Sequence, residues 1–400
     1  MRLAFLFAPA LILFTIAAGC ASIAQVPLES LRLQGSSRDL QIGDIVDTHS
    51  GVAISFEDLI ADLAVQQVVY AGEIHSSIND HHIQRQILEA LYDPNKSLVV
   101  AMEMFPRPLQ SWLDRWSEGN LGEVQFLKEV DWEHNWGFPI ELYRPLLDYC
   151  RTNHIRIVAL NAPPLIVKNI AQHGLDQLDP AERATVAADF DFSNEKHRDA
   201  IRQQYEQHMA MLLGVGGFDR FYEAQLAWEE TMAETLATEL SVHPAPEQIV
   251  VIIGNGHIEY RFGVPSRTFR RFPHAFKTVV PIPWNTAERT LDPGLADYIW
   301  ITAPEEPFHG HRGRLGVRLE PLEAGKGVKI VAVVPESPAA QAGVKPGDIL
   351  IQIDDTPLTS IEEVHKALMA PELGKQASHR IYLQRDGVDM QLSVAIPGNP

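Results

Sequence analysis

Residues 68–86, VVYAGEIHSSINDHHIQRQ, carry an apolar run that turns directly into an amphipathic helical pattern. Val68, Val69 and Tyr70 close a run bounded by polar residues, as in a strand buried on both faces of a parallel sheet. The run breaks at Ala71-Gly72, and Glu73, Ile74 and His75 follow. Side chains alternate across extended backbone, so Glu73 and His75 are expected on one side. Ser76, Ser77 or Asn79 then caps a helix. Its inward stripe is Ile83, Ile87 and Leu91, and His82 shares a neighbouring face with Gln86, on the flank nearest the strand end. A carboxylate and an imidazole thus sit where a strand hands over to a helix, the edge at which open α/β sheets bind ligands.

The same alternation continues along the chain. Residues 97–102 form a second apolar run that ends in Glu103, and residues 155–160 a third that ends in Asn161. Residues 249–253 form a fourth, followed by Gly254-Asn255-Gly256-His257, and residues 277–282 offer a fifth. Helical patterns lie between them: 54–63; the stripe Leu109, Trp112, Leu113, Trp116, stopped by Gly119; and a segment opened by Pro139, with Pro145 kinking it or delaying its start. Pro163 and Pro164 open the next helix, and 180–241 reads as helical throughout apart from a Gly-rich break at 214–217. The fold class is α/β, a mostly parallel sheet flanked by helices. Parallel strands put their C-terminal ends on one edge. Glu73 with His75, Glu103, Asn161 and His257 are therefore expected to converge, although any one of them alone is more often a cap or turn former.

Composition sets outer limits. Four hundred residues favour more than one domain, and 46% hydrophobic with 21% charged residues is ordinary for a globular protein. A formal net charge of −19 argues against nucleic acid as a partner. At the N-terminus Arg2 precedes the uncharged run 3–18, and Ala17-Ala18-Gly19-Cys20 resembles a bacterial lipobox. The expectation is a signal over 1–20, lipidation at Cys20 and a tether over 21–40; a plain secretory signal and a membrane anchor are the alternatives. Ala21, not an acidic residue, follows the cysteine, which points to the outer membrane, facing the periplasm or the surface. Cys150, the other cysteine, reads as a buried structural thiol. The α/β domain is bounded at 41–302, a linker at 303–312, and a small β-rich domain at 313–400.

Glu73, His75, Glu103 and His257 make a two-carboxylate, two-imidazole set. It suits a divalent transition metal, or metal-free catalysis with a carboxylate as general base and a histidine stabilising charge, or ligand capture through acceptor oxygens. Spacing does not choose among these, and no HExxH, GxSxG or phosphate-loop motif is present. His81 reads as solvated. His197, Tyr205 and His208 line a helix face of core or lid type.

The segments YAGEIHSSINDHHIQRQIL, VVAMEMFPRPLQSWLDRW, DWEHNWGFPIELYRPLLDYCR, IVALNAPP and IIGNGHIEYRFGVPSR resemble the ChaN family of haem-binding lipoproteins, over about residues 41–270. The resemblance implies haem binding in an iron-uptake setting, with a dimer enclosing the haems. It makes Tyr143 the first choice as iron ligand and His82 a site residue that matches a family histidine. It also puts Trp132, Trp136 and Phe138 against the porphyrin and Arg107 or Arg144 near a propionate. No C-x-x-C-H is present for covalent attachment. That family is similar to the Tiki, TraB and erythromycin-esterase proteins, marked by two G-x-x-H signatures with glutamates, here Gly72–His75 and Gly254–His257. The wider resemblance implies an alternative, a metal-dependent hydrolase or protease using Glu73, His75, Glu103 and His257. The tail, RLGVRLE and VVPESPAAQAGVKPGDILIQIDDTPL, resembles a PDZ domain of the HtrA type, with Arg314-Leu315 where the eukaryotic pattern has Gly-Leu. This implies that Leu315, Gly316 and Val317 receive a peptide's terminal carboxylate, with Val364, His365 and Leu368 lining the groove.

Overall fold

The computed structural model describes residues 30–208, 217–242, 245–304, 315–322, 327–334, 337–359, 361–368, 377–385 and 387–396. Cys20, the signal and residues 21–29 of the expected tether lie outside them.

The described residues form an eight-stranded sheet in the order Val52–Ile54, Ile45–Asp47, Tyr298–Thr302, Phe276–Pro283, Val68–Glu73, Gln248–Gly254, Leu98–Pro106, Arg156–Asn161. From Tyr298–Thr302 to Arg156–Asn161 every neighbouring pair is parallel. The two short strands at the other edge are antiparallel. After the edge pair Ile45–Asp47 and Val52–Ile54 the chain crosses to the middle with Val68–Glu73, builds outward, then returns to insert Gln248–Gly254 between its first two parallel strands. The three strand ends that meet at this reversal carry Glu73, Glu103 and Gly254.

Both sheet faces are covered, which is why the central strands carry apolar residues on both faces for most of their length. On one face Val69, Val100, Met102 and Ile252 pack under the helices Ile78–Leu91, Gln110–Ser117 and Ile140–Thr152. On the other, Tyr70, Ala101, Val251 and Ile253 pack under Phe218–Ser241 and Val264–Arg271. Cys150 is fully buried in the first layer, and burial pushes its thiol pKa up.

Four expectations change. The strands do not end before the acids: Glu73 pairs with Gly254 inside the ladder, and Glu103 lies within Leu98–Pro106, whose register shifts between Met102 and Pro106. The segment 30–40 is not a tether, because Leu31, Leu33 and Leu40 are buried and Arg32–Leu33 pairs in parallel with Thr290–Leu291. Residues 184–194 are not helical; Arg183 closes that turn by donating to Ala187 O and Ala188 O. The strands Tyr298–Thr302, Ile45–Asp47 and Val52–Ile54 were not anticipated, being only five, three and three residues long.

A second unit holds its own apolar cluster, including Leu315, Val328, Ile330, Leu350, Val364, Ile381 and Leu383. Its strands run Val317–Pro321, Val328–Val333, Ile349–Ile353, Ala377–Arg385, Val388–Ile396 in spatial order, with Val317–Pro321 at the edge. Among the described residues no helix is long and apolar enough to cross a membrane.

Candidate functional site

Glu73 is the floor of the site. Its side chain is buried, and both oxygens are held. His75 Nδ1 lies 2.8 Å from Oε1, Tyr143 donates its hydroxyl to Oε1 at 2.7 Å, and Gln84 Nε2 donates to Oε2 at 2.8 Å. His81 Nδ1 stands 3.5 Å from Oε2. Burial alone would raise the Glu73 pKa; the charges and hydrogen bonds of His81, His75 and Tyr143 outweigh it and bring the carboxyl below its usual range. Burial, reinforced by the same contact, pushes the Tyr143 hydroxyl well up. Ser77 caps the helix that carries His81 and Gln84, and Asp80 ties that first turn to the strand end by accepting from Ile74 N at 2.7 Å. Burial raises the Asp80 pKa to about 6 against the pull of those donors.

Glu103 makes a second pair. Gly254 N donates to its Oε2 at 2.7 Å, and His257 Nε2 stands 3.3 Å from Oε1. Asn161 fixes the backbone beneath by donating to Glu103 O at 3.0 Å. Burial would raise Glu103, but His257 and then His75 hold it at about 2. His257 is squeezed between two acids, because its Nδ1 lies 3.3 Å from Glu229 Oε1 on the long helix. Burial would lower its pKa, and Glu103 and Glu229 raise it to about 10. Glu229 is in turn held by His197 Nε2 and Arg267 Nε, each at 3.2 Å, and Arg267 also pairs with Glu230.

The two G-x-x-H glycines have interlocking reasons. A Cβ on Gly72 would stand 2.1 Å from Asn255 Oδ1, and one on Gly254 would stand 2.7 Å from His75 Cε1. Each glycine makes room for a side chain of the other motif. His75 closes the arrangement from above, packed on Trp136 and Phe138 with ring centroids 4.7 and 5.1 Å away.

Glu73, His75, Glu103 and His257 therefore do meet at one edge. Their donors engage one another in carboxylate–imidazole pairs, and among the described residues no three His, Cys, Asp or Glu side chains are aimed at a common point as metal ligands. Tyr143 is in the site but 1% exposed, with its hydroxyl on Glu73. Arg107 is bound to Glu234, Thr235 and Thr231 O of the long helix. Arg144 pairs with Glu123 and more loosely with Glu141. The reading of His81 as solvated is corrected, because it is buried against Tyr143 and Glu73, while His82 is exposed. His197 does face a core, as part of the Glu229 cluster.

His82 opens onto a separate feature. A cleft of about 240 Å³ between the helices Ile78–Leu91 and Ile140–Thr152 is lined by Ile78, His81, His82, Arg85, Glu141, Leu142 and Pro145. In the second unit, Gly316 has φ +78°, and Val317 opens the unpaired side of the edge strand. His365 falls in the helix Ile361–Ala367, but its side chain is outside the described residues.

Comparison with known proteins adds the following. Residues 59–268 match the model of a family described as haem-binding uptake, Tiki superfamily, ChaN, and residues 313–396 match a PDZ domain. A solved structure described as cofacial heme binding to ChaN of Campylobacter jejuni has a TM-score of 0.50 at 20% identity. It covers 64% of this chain and 95% of that one, and shows a shared fold. Protein RETICULATA-RELATED 5, chloroplastic, of Arabidopsis thaliana is 22% identical over 264 residues, 59% of this chain and 34% of that protein. A probable periplasmic serine endoprotease DegP-like of Brucella suis biovar 1 is 32% identical over 84 residues, 21% of this chain and 16% of that protein. The chain thus spans about a third or less of these curated relatives.

Proposed function

The chain belongs to the ChaN haem-binding uptake family of the Tiki superfamily, and from that membership we propose that its α/β domain binds haem as cargo while its PDZ domain captures a protein partner. The observation that carries the haem reading is the cleft beside His82. Its walls are mainly apolar, His82 presents an imidazole at its mouth, and Arg85 stands one turn along. Those are an apolar wall, an iron ligand and a propionate donor. Arg85 pairs with Glu89 at 2.7 Å on the surface, an exposed i,i+4 contact weak enough to be exchanged for a propionate. Tyr143 would have to leave both Glu73 and the core to reach iron, so His82 takes its place as first candidate.

At about 240 Å³ the cleft is smaller than a typical enclosing pocket of roughly 300–1,000 Å³, and it takes one side of a macrocycle. A second copy of the chain covering the outer face completes the site in this proposal. Lipidation at Cys20, an outer-membrane position facing the periplasm or the surface, and a role in iron uptake belong to the same proposal and rest on the N-terminal motif and the family.

The test is a haemin titration followed by the Soret band. Binding that weakens about tenfold or more in His82→Ala, and persists in Tyr143→Phe, supports the reading. Equal binding by His82→Ala and the parent chain overturns the ligand assignment, and no Soret change at all overturns the haem reading.

A second reading is favoured by His75. Its imidazole is held by buried Glu73, keeps 29% side-chain exposure, and stands beside the Glu103–His257 pair. An oriented imidazole on a buried carboxylate is the arrangement of general acid–base catalysis, and a hydrolase would use it. Peptide or ester turnover by the parent chain that disappears in Glu73→Gln supports this reading; haem binding without turnover removes it.

A further inference from the structure

The sheet topology fixes where the second domain is attached. Tyr298–Thr302 runs parallel to Phe276–Pro283 and through it to Val68–Glu73, so its end emerges on the edge that carries Glu73 and His75. The next residue is anchored there, because Asn79 Nδ2 donates to Ala303 O at 3.0 Å. Asn79 lies in the first turn of the helix whose first residue, Ile78, lines the His82 cleft. The chain therefore departs from the rim of the functional edge. Pro304 to Arg314, eleven residues, separate that anchor from Leu315.

Leu315 and Gly316 lead directly into the edge strand Val317–Pro321, the end at which the PDZ resemblance places a peptide's terminal carboxylate. The groove opening is thus at the near end of the tether, not at the far end of its domain. Twelve Cα steps span at most about 40 Å. A peptide added to the edge strand extends about 3.3 Å per residue, so its eighth residue from the C-terminus is about 23 Å from the bound carboxylate. The length of the attachment allows that part of the peptide to reach the α/β rim, where Ile74 and Ile78 are 44% and 50% exposed.

We propose that both domains engage one polypeptide: the PDZ groove holds the free C-terminus of a partner protein ending in an apolar residue, and the residues upstream lie across the α/β edge at Ile74 and Ile78. The apolar ending suits Val317, Leu319, Val364 and Leu368, which belong to one cluster beside the edge strand. The second contact gains from tethering, since linking two sites raises the effective concentration of one at the other. This rests on the PDZ domain being a peptide binder.

The test uses the full chain and a pool of decapeptides ending in Val, Leu, Ile or Phe. Each has a photoreactive benzoyl-phenylalanine at the eighth position from a free carboxylate, and an amidated pool serves as control. The expected result is carboxylate-dependent binding, with crosslinks in residues 74–82 and in the facing segment 136–145. Inserting twenty Gly/Ser residues between Pro304 and Leu315 is expected to cut these crosslinks about fivefold while leaving peptide affinity within twofold. Carboxylate-dependent binding with crosslinks confined to 315–396, or a yield indifferent to the insertion, overturns the proposal while leaving peptide capture intact. Equal binding of the amidated pool overturns the capture itself and the proposal with it.

Discussion

Gly254 Cα faces the His75 ring so closely that an added Cβ would stand 2.7 Å from Cε1 and 3.1 Å from Nε2. The two residues are 179 positions apart and are brought together by parallel pairing of their strands, in which Glu73 is opposite Gly254. Gly254→Ala is expected to push the imidazole off Glu73. Overpacking of this kind costs about 1–3 kcal/mol, and the ring keeps 29% exposure and can shift, so the loss should fall at the lower end. The decisive readout is the His75 imidazole resonances, which should move far more than those of His274. Unchanged His75 resonances would mean that the close approach does not position the ring.

Glu229 is buried with Arg267, His197 and His257 around it, and the Arg267 side chain is only 4% exposed. Removing one member of such a cluster strands a charge away from water. Glu229→Ala is expected to destabilise the α/β domain by about 3–5 kcal/mol in guanidinium unfolding. Glu234→Ala, whose partner Arg107 also has Thr235 and Thr231 O, is expected to cost far less. Equal effects would deny the cluster its central place.

How much of this was visible in the sequence differs from residue to residue. The meeting of Glu73, His75, Glu103 and His257 followed from strand direction alone, because parallel strands leave no other edge for them. Glu229 left no comparable mark, since it lies in the middle of a helix. The available signal was the acidic pair Glu229-Glu230 between Ala227-Trp228 and Met232-Ala233, where a carboxylate at a core position requires a cation such as Arg267. His81 was misread as solvated because the buried arc of its helix includes the polar Asp80 and Gln84. Counting apolar residues alone rotates that arc toward His82.

The two acid–imidazole pairs also set a pH dependence. Glu103 is lowered to about 2, so its contribution is present above the ordinary carboxyl pKa, about 4.3, and is lost as pH falls toward 2. His257 is raised to about 10, so its contribution is complete below about 6.5 and is lost as pH rises toward 10. Stability of the α/β domain is therefore expected to be greatest between about pH 4.5 and 6.5 and to decline on both sides. Urea midpoints measured from pH 3 to 10 would show this. His257→Gln should flatten the alkaline arm, and a parent profile that rises from pH 6.5 to 9 would contradict the charged state assigned to His257.

In the PDZ domain the sensitive point is Gly316. Its φ of +78° is a left-handed conformation, and a Cβ there would stand 2.2 Å from Ser337 Cβ. Ser337 cannot simply retreat, because it caps the turn Pro338–Gln341 and its Oγ lies 3.3 Å from Gly316 O. Gly316→Ala thus combines a left-handed backbone cost of roughly 1–2 kcal/mol with a clash against a fixed neighbour. The variant is expected to lose at least tenfold in affinity for a carboxylate-terminated peptide. The apolar cluster of the α/β domain shares no residue with that of the PDZ domain, so the haemin titration should stay as in the parent chain. Adding Ser337→Gly removes the Cβ clash but not the backbone cost, and should recover part of the affinity. Full affinity in Gly316→Ala would mean that this loop does not receive the carboxylate, and recovery to the parent value in the double variant would assign the whole effect to the clash.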